Sequence, residues 1–458
     1  MEKKTLLLIT PKNSVFKGWS LSPEFIFQPL NLGIIAALTP SYWKIKIIDE
    51  NMRQFKYYPA DLVGITSFTS TSSRAYEIAS LYRSKNTPVV MGGIHATLVS
   101  NEALNYVDTV VKGEAESVWP SLISDFEAGR LQRIYEGKID ESPILISPKP
   151  RRDLFHPGYT TASVQTTRGC PMDCHFCSVT AFNGKHYRHR PIEDVLDELE
   201  EIPQHHIFFV DDNIIGYSPK SIERAKELFE GMIRRGFKKS WGSQASLNFG
   251  DDDELLELAR RSGCANILIG IETESEDQLK EVQKNFNIRK GVKNFNKIVQ
   301  RIHKHGIFVI GAFIFGFEKD DAAALRRRRK YINHSAVDIV QATILTPLPG
   351  TKTFGRMEQL KMIDEHTSTN SWSYFTFYNL VFKHPHFEKD EFYKEMLKVF
   401  QSIYHPWNLF RRSCRTFLSL RKMETKRKLE TSFLTNRGNH HYWVIVKDAM
   451  KLWNKKQD

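Results

Sequence analysis

Residues 164–177 read Val164-Gln165-Thr166-Thr167-Arg168-Gly169-Cys170-Pro171-Met172-Asp173-Cys174-His175-Phe176-Cys177, a short strand-like run that passes through a glycine into three close cysteines. The chain has only five cysteines, and three of them fall within the eight residues Cys170–Cys177, which suits metal binding in a reducing compartment better than a disulfide framework. Thiolates are the ligands of iron–sulfur clusters, and three on one loop hold three irons of a cubane while the fourth iron stays open. A zinc site is the alternative, with His175 or His156 as a fourth ligand. Structural zinc usually draws its four ligands as two separated pairs, and the three-residue gap between Cys170 and Cys174 is unusual for it. Cys264, after Gly263 at the start of an apolar run, reads as an ordinary buried cysteine, and Cys414 is isolated.

Downstream, strand-like runs at Ile207–Val210, Trp241–Ala245, Ile267–Ile271, Phe308–Phe315 and Asp338–Leu345 alternate with helical stretches. The helices are expected at Pro191–Glu201, Ser218–Arg235, Asp252–Ser262, Arg289–His305 and Asp321–Asn333. With Val164–Thr167 this makes six strand–helix units, short of a complete eight-fold barrel. Strand ends carry chemistry in such a topology. Asp211 and Asp212 close the second strand and could accept hydrogen bonds from an ammonium group. Glu272 ends the fourth, and Gly311 and Gly316 lie on the fifth. Each also reads as a turn residue, a cap or a close-packing glycine. Asp251–Asp253 reads as a helix cap, and Arg326–Arg329, pointing all round a helix, mainly as a solvated face. Thr346–Thr351 is either a cavity wall or a rigid turn.

Upstream, Thr5–Ile9, Lys44–Ile48, Leu62–Ser67, Val89–Met91 and Thr109–Val111 read as buried strands. Helical patterns at Leu30–Leu38, Ser73–Ser84 and Ser117–Ala128 lie between them, which predicts a parallel, doubly wound sheet. Ligands of such sheets sit at the carboxyl ends of the strands. The loops there are small and polar: Ser67 to Thr71, Gly92-Gly93, and Gly113-Glu114-Ala115-Glu116. No Gly-x-Gly-x-x-Gly follows the first strand, which argues against a dinucleotide site. A proline-rich linker follows, so the expected division is residues 1–140, a linker at 141–158, residues 159–355, and a helical region at 356–458.

The 458 residues carry a net charge of +12. Residues 405–458 hold 13 Lys/Arg against 4 Asp/Glu, a net of +9, which leaves +3 for the rest. Such a tail suits an anionic membrane surface, an acidic partner or nucleic acid, or is simply a solvated helical face. No apolar run is long enough to span a bilayer and Leu6–Ile9 is too short for a signal peptide, so a cytoplasmic protein is expected. The aromatic-rich stretch from Trp372 to Tyr378 could cap the mouth of a partial barrel.

The Cys-x3-Cys-x2-Cys spacing, with Phe176 before the last cysteine, resembles the signature of the radical S-adenosylmethionine (SAM) enzymes. The first 140 residues are similar to a cobalamin-binding domain, and Val89–Ala96, ending Gly-Gly-Ile-His-Ala, resembles the version fused to radical SAM enzymes. Together the resemblances cover roughly residues 3–355. They imply an α/β fold: a cobalamin-type doubly wound sheet, a partial (β/α)6 barrel and a C-terminal helical cap. They imply a [4Fe-4S] cluster on Cys170, Cys174 and Cys177, with SAM chelating the open iron. Asp211 and Asp212 would hold the SAM amino group, Glu272 its ribose or methionine, and Phe176 and Gly311 would flank the adenine. Ser67, Thr69, Gly92, Gly93, Gly113 and Glu114 would line cobalamin. The loop Thr10-Pro11-Lys12-Asn13-Ser14 lacks the Asp-x-His-x-x-Gly motif, and the first histidine is His95, so cobalt should have no histidine ligand. The implied activity is methylation of an unactivated carbon of a small-molecule or lipid-like substrate through a 5′-deoxyadenosyl radical. A flavodoxin- or ferredoxin-type donor would supply electrons, and no specific nucleic acid is expected. Cyclisation, rearrangement or oxidation on the same machinery, and an iron–sulfur redox sensor, are the alternatives.

Overall fold

The computed structural model describes residues 3–17, 26–138, 147–364 and 371–453. Pro143, in the expected linker, lies outside these residues. The N-terminal part is β1 (Thr5–Thr10), α1 (Leu30–Leu38), β2 (Lys44–Asp49), β3 (Leu62–Thr66), α2 (Ser72–Arg83), β4 (Val89–Gly92), α3 (Ile94–Leu98), α4 (Ser100–Ala103), β5 (Thr109–Gly113), α5 (Trp119–Glu127) and β6 (Ile134–Gly137). All six strands are parallel, in the order β2-β1-β3-β4-β5-β6. Alternate residues of β1 serve different cores. Leu6 and Leu8 pack with Trp119 and Leu122 on one face, and Leu7 and Ile9 with Tyr76 and Ala79 on the other. A strand buried on both faces is the reason for the unbroken apolar run. Sequence reading missed β6, whose four residues alternate between exposed and buried and carry too little apolar character to stand out.

The second sheet begins with β7 (Thr161–Val164), and the short antiparallel pair β8 (Thr167–Arg168) and β9 (Arg188–His189) brackets α6 (Val179–Asn183). Then come α7 (Ile192–Glu201), β10 (His206–Phe209), α8 (Pro219–Arg234), β11 (Ser240–Ala245), α9 (Asp253–Arg261), β12 (Cys264–Glu272), α10 (Glu276–Glu281), α11 (Asn285–Lys290), α12 (Phe295–Lys304), β13 (Phe308–Phe315), α13 (Ala322–His334) and β14 (Ile339–Ile344). The six long strands run parallel in the order β14-β13-β12-β11-β10-β7, an open barrel with helices outside it. The first strand ends at Val164, three residues earlier than expected. The amides of Thr166 and Thr167 turn away to the Asp211 carboxylate instead of continuing the ladder.

Among the described residues four α-helices follow: α14 (Lys352–Gln359), α15 (Lys389–Ile403), α16 (Pro406–Ser419) and α17 (Thr425–Trp453). α16 and α17 pack on each other, α17 on the edge strand β14 and α16 on the Val337–Asp338 segment that leads into it. Asn439 accepts from the Val340 amide (3.1 Å) and donates to the Asp338 carbonyl (2.8 Å). Asp338 is fully buried and accepts from His303 Nε2 (2.7 Å), the Val309 amide (2.7 Å) and the Thr416 hydroxyl (2.6 Å). One carboxylate therefore joins α12, β13 and α16. Among the described residues no helix is long and apolar enough to cross a membrane.

Arg326–Arg329 require a correction. Arg328 is fully buried, with Nη2 2.8 Å from Asp320, Nε 3.2 Å from Glu274 and Nη1 on the Ile314 carbonyl. Asp320 in turn holds the Gly316 and Phe317 amides, so this arginine stitches the loop after β13. Four consecutive arginines span a whole helical turn, and one of them must face the sheet.

Candidate functional site

The cysteine loop sits at the carboxyl end of the barrel, fixed by its backbone. Gly169 has φ +90°, and a Cβ there would lie 2.1 Å from the His186 carbonyl oxygen, so no other residue fits. The Cys170 amide donates to Gly184, the His175 amide to Val282, and the His175 carbonyl accepts from Thr353. Cys170, Cys174 and Cys177 are free thiols, half-buried. Burial raises all three above the ordinary thiol value, Cys177 to about 12, so metal loading must displace protons. Among the described residues no three His, Cys, Asp or Glu side chains are grouped for a single metal ion. A cubane presents its irons at separated corners, and this all-thiol donor set fits it better than one zinc ion.

Four candidate carboxylates have four different surroundings. Asp211 is fully buried and accepts from the Thr166 amide (2.6 Å), the Thr166 hydroxyl (2.6 Å) and the Thr167 amide (3.0 Å). Its oxygens hold the joint that launches the cysteine loop. Asp212 is only partly covered, accepts from Asn183 Nδ2 (3.0 Å), and is pushed by burial up to about 6. Glu272 adopts φ +67° at an irregularity in β12 and accepts from Lys284 Nζ at 2.6 Å. A non-glycine residue held there costs on the order of 1–3 kcal/mol, which is typical of functional sites. Glu114, expected at cobalamin, is instead paired with Arg188 (2.5 Å) and Arg168 (3.4 Å), while Arg168 also meets Glu116 (2.5 Å).

Lys284 escaped sequence reading because it stands in a polar stretch without a motif. It is largely buried, with its ammonium 5.7 Å from the centre of the Phe176 ring. Burial opposes its charge, but Glu272 and Cys174 outweigh burial and hold it above the usual lysine value. A fixed cation thus stands beside the cysteines. Tyr217, also missed, shares a hydrogen bond with Ser246 (2.6 Å) and stands near Cys170. Phe176 is half-buried at the same place. Gly311 lies on β13, where a Cβ would come within 2.6 Å of Val337, so close packing requires a glycine there.

At the carboxyl end of the first sheet, Thr10 Oγ1 and Ser67 Oγ are buried without a hydrogen-bond partner. Buried hydroxyls without partners are costly, and a polar ligand would satisfy them. Gly92 leaves ordinary room for a side chain, whereas Gly93 (φ +92°) lies against Thr66 and Ser67. Thr69 is buried at the start of a short turn, and Gly113 packs on the Gly137 carbonyl. Asn13, in the loop after β1, is spent on the carbonyls of Ser70 (2.6 Å) and Ser373 (2.8 Å). His95 is fully buried and bonded to Tyr76 (3.0 Å), so it does not face outward as a ligand. These residues fit a large polar group held without histidine.

The two ends face each other. α3 packs against α6 directly behind the cysteine loop, and Gly350 of the Thr346–Thr351 segment packs on Leu98. The turn at Ser371–Tyr374 lies on the Thr69–Thr71 loop. The arginine–glutamate cluster at Arg168, Arg188, Glu114 and Glu116 clamps the loop after β5 to the strands that bracket the cysteines.

Comparison with known proteins agrees with both halves. The radical SAM superfamily model matches residues 164–329, and the B12 binding domain model matches residues 21–123. The bacteriochlorophyllide d C-12(1)-methyltransferase of Chlorobaculum tepidum is 29% identical over 426 residues, covering 88% of each chain. The hopanoid C-2 methylase of Rhodopseudomonas palustris is 26% identical, covering 72% of this chain and 64% of its own. A solved radical SAM methyltransferase, TsrM of Kitasatospora setae, with cobalamin and a [4Fe-4S] cluster bound, superposes with a TM-score of 0.69. It covers 96% of this chain and 99% of its own at 15% identity, a likeness of fold. With the cysteine loop of one domain set against the ligand edge of the other, the chain belongs to the radical SAM enzymes that carry a B12-binding domain.

Proposed function

We propose that this enzyme transfers a methyl group to an unactivated carbon of a lipid-like or tetrapyrrole-like small molecule. The observation that carries the reading is the clamp of Arg168 and Arg188 on Glu114 and Glu116, which fixes the cobalamin edge over the cysteine loop. When bound, the cluster supplies the electron that cleaves SAM, and cobalamin supplies the methyl carrier. Cys170, Cys174 and Cys177 would hold the cluster. Asp212 would accept hydrogen bonds from the SAM ammonium group, Phe176 would lie beside its adenine, and the Glu272–Lys284 pair would face its methionine or ribose. Thr10, Ser67, Thr69, Gly92 and Gly93 would cradle cobalamin. The enclosing cap at Trp372–Tyr378 would keep water from a carbon radical.

The substrate class follows the two curated relatives, whose names place them on a bacteriochlorophyllide and a hopanoid. We place the protein in the cytoplasm, where free thiols persist, with a flavodoxin- or ferredoxin-type electron donor. The division into residues 1–140, 159–355 and 356–458 about a linker at 141–158 follows the two sheets and the helical remainder. The test is anaerobic reaction of the reconstituted enzyme with methyl-labelled SAM, a strong reductant, and either a bacteriochlorophyllide or a hopanoid. One labelled methyl in the product is expected. Formation of 5′-deoxyadenosine with ring closure or hydrogen loss, and no label in any product, would overturn methyl transfer in favour of an oxidative or cyclising reaction.

A further inference from the structure

The α16–α17 hairpin is apolar where it should be wet. Among the described residues, six of the fourteen large hydrophobic side chains left exposed fall on this pair of helices: Trp407, Phe410, Leu418, Leu429, Phe433 and Leu434. Isolated exposed leucines need no explanation, but a concentration of this kind marks an interaction surface.

The inner faces of the two helices are fully used. α16 buries Leu409, Arg412 and Thr416, and α17 buries Thr431, Thr435, Gly438 and Asn439. Arg412 donates to Asn439, Thr416 to Asp338, and the Ile339 side chain fills the space above Gly438. α17 thus lies on the edge of β14 and α16 on the Val337–Asp338 segment that leads into it, and the helices pack side by side. Their outer faces therefore form one continuous surface. Trp407, Phe410 and Leu418 recur at helical spacing along the first, and Leu429, Phe433 and Leu434 along the second.

Basic residues surround these side chains. Arg411, Arg421, Lys426 and Arg427 are all exposed. From Arg411 to Arg437 there are nine Lys/Arg and two Asp/Glu; Arg412 is buried and Arg415 turns inward to the Val337 carbonyl, which leaves seven against two, a net of +5, for the outer side. This charge discriminates between occupants. A second copy would bring the same positive surface and repel the first. A nucleic acid would satisfy the arginines but leave three leucines in water. An anionic bilayer offers phosphate for the cations and an acyl boundary for the leucines and phenylalanines.

We infer that the α16–α17 hairpin seats the protein on the interface of an anionic lipid bilayer, with its aromatic and leucine side chains in the acyl boundary and its lysines and arginines on the headgroups. The chain lies on the membrane and does not cross it, in keeping with the absence of a spanning helix among the described residues. α17 lines β14, the strand that borders the open side of the barrel, so the seat brings that side to the lipid. The inference does not depend on which radical reaction follows.

The test is flotation of the full-length, cluster-loaded enzyme with vesicles of phosphatidylcholine alone or with about one-third phosphatidylglycerol. Binding to the anionic vesicles should be about 10-fold or more tighter than to the neutral ones and should weaken as salt rises. Phe433→Ser with Leu434→Ser should lower partitioning about 10-fold or more, and so should Arg421→Glu with Lys426→Glu and Arg427→Glu. All these side chains are exposed, so circular dichroism and iron content should stay at the parent values. Absence of binding to either vesicle, or binding unchanged in both variants, would overturn the inference. So would a dimer in light scattering that the Ser variant dissolves while neither vesicle is bound. Duplex DNA held as tightly as the anionic vesicles, and equally by the Ser variant, would overturn it too.

Discussion

At the residue scale, adjacent aspartates at one strand end have different surroundings, Asp211 closed in by its donors and Asp212 partly open. Asp212→Asn removes a charged acceptor but no packing, so SAM affinity should fall by roughly 10- to 100-fold while iron content stays at the parent level. Equilibrium binding of SAM checks it. The same carboxyl is pushed by burial up to about 6 and is neutral below that value. SAM binding by the parent should therefore weaken as pH falls below about 6, and Asp212→Asn should lack this acid limb. Asp211→Asn should act differently. It places an amide where two backbone donors and a hydroxyl converge, so it should lower iron incorporation before it alters SAM affinity. Iron per chain in the two variants, reconstituted side by side, separates loop seating from ligand contact. Equal iron in both would remove the positioning role of Asp211.

At the scale of elements, the joint at Asp338 decides whether the last helices stay on the barrel. Burial works against its charge, but His303, Thr416 and the Val309 amide overcome burial and hold the carboxyl below its ordinary value. A depressed carboxyl stabilises the fold above its unfolded-state pKa, near 4, and that stabilisation is lost as pH falls through the folded-state value. Asp338→Asn should cost about 3 kcal/mol or more and flatten the acid limb of the stability profile. Urea midpoints measured from neutral to acid pH in both proteins check the size and the sign. Apart from β6, the strands of both sheets were legible because runs such as Leu6–Ile9 and Phe308–Phe315 are apolar and unbroken. The helix expected at Arg289–His305 is in fact two, parted at Gly291, whose φ of +75° breaks the path. Periodicity alone runs across such a break. The cysteines were legible from spacing, whereas Lys284, Tyr217 and the glutamate partners of Arg168 were not. Their meaning comes from contacts between segments far apart in the chain, which no local pattern records.

At the scale of the whole molecule, two parallel sheets must hold their ligand edges in register across a polar interface. Glu114→Gln with Glu116→Gln leaves Arg168 and Arg188 without their counter-charges and frees the two edges to shift. Displacements near 1 Å can cost a reaction about 100-fold, so methyl transfer should fall about 10-fold or more while SAM cleavage persists. The ratio of 5′-deoxyadenosine to methylated product in each protein measures the uncoupling, and an unchanged ratio would show that the clamp is only structural. The cover that α17 lays over β14 has a consequence of its own. A strand with one free side is a template on which other chains can add strands, and here the shield arrives late, because Asn439 is synthesised about a hundred residues after Val340. Until then the nascent half-barrel has a sticky seam. Chains ended at Leu420 should therefore collect in insoluble, sheet-rich deposits, and co-expression of the missing helix as a separate peptide should return part of them to solution.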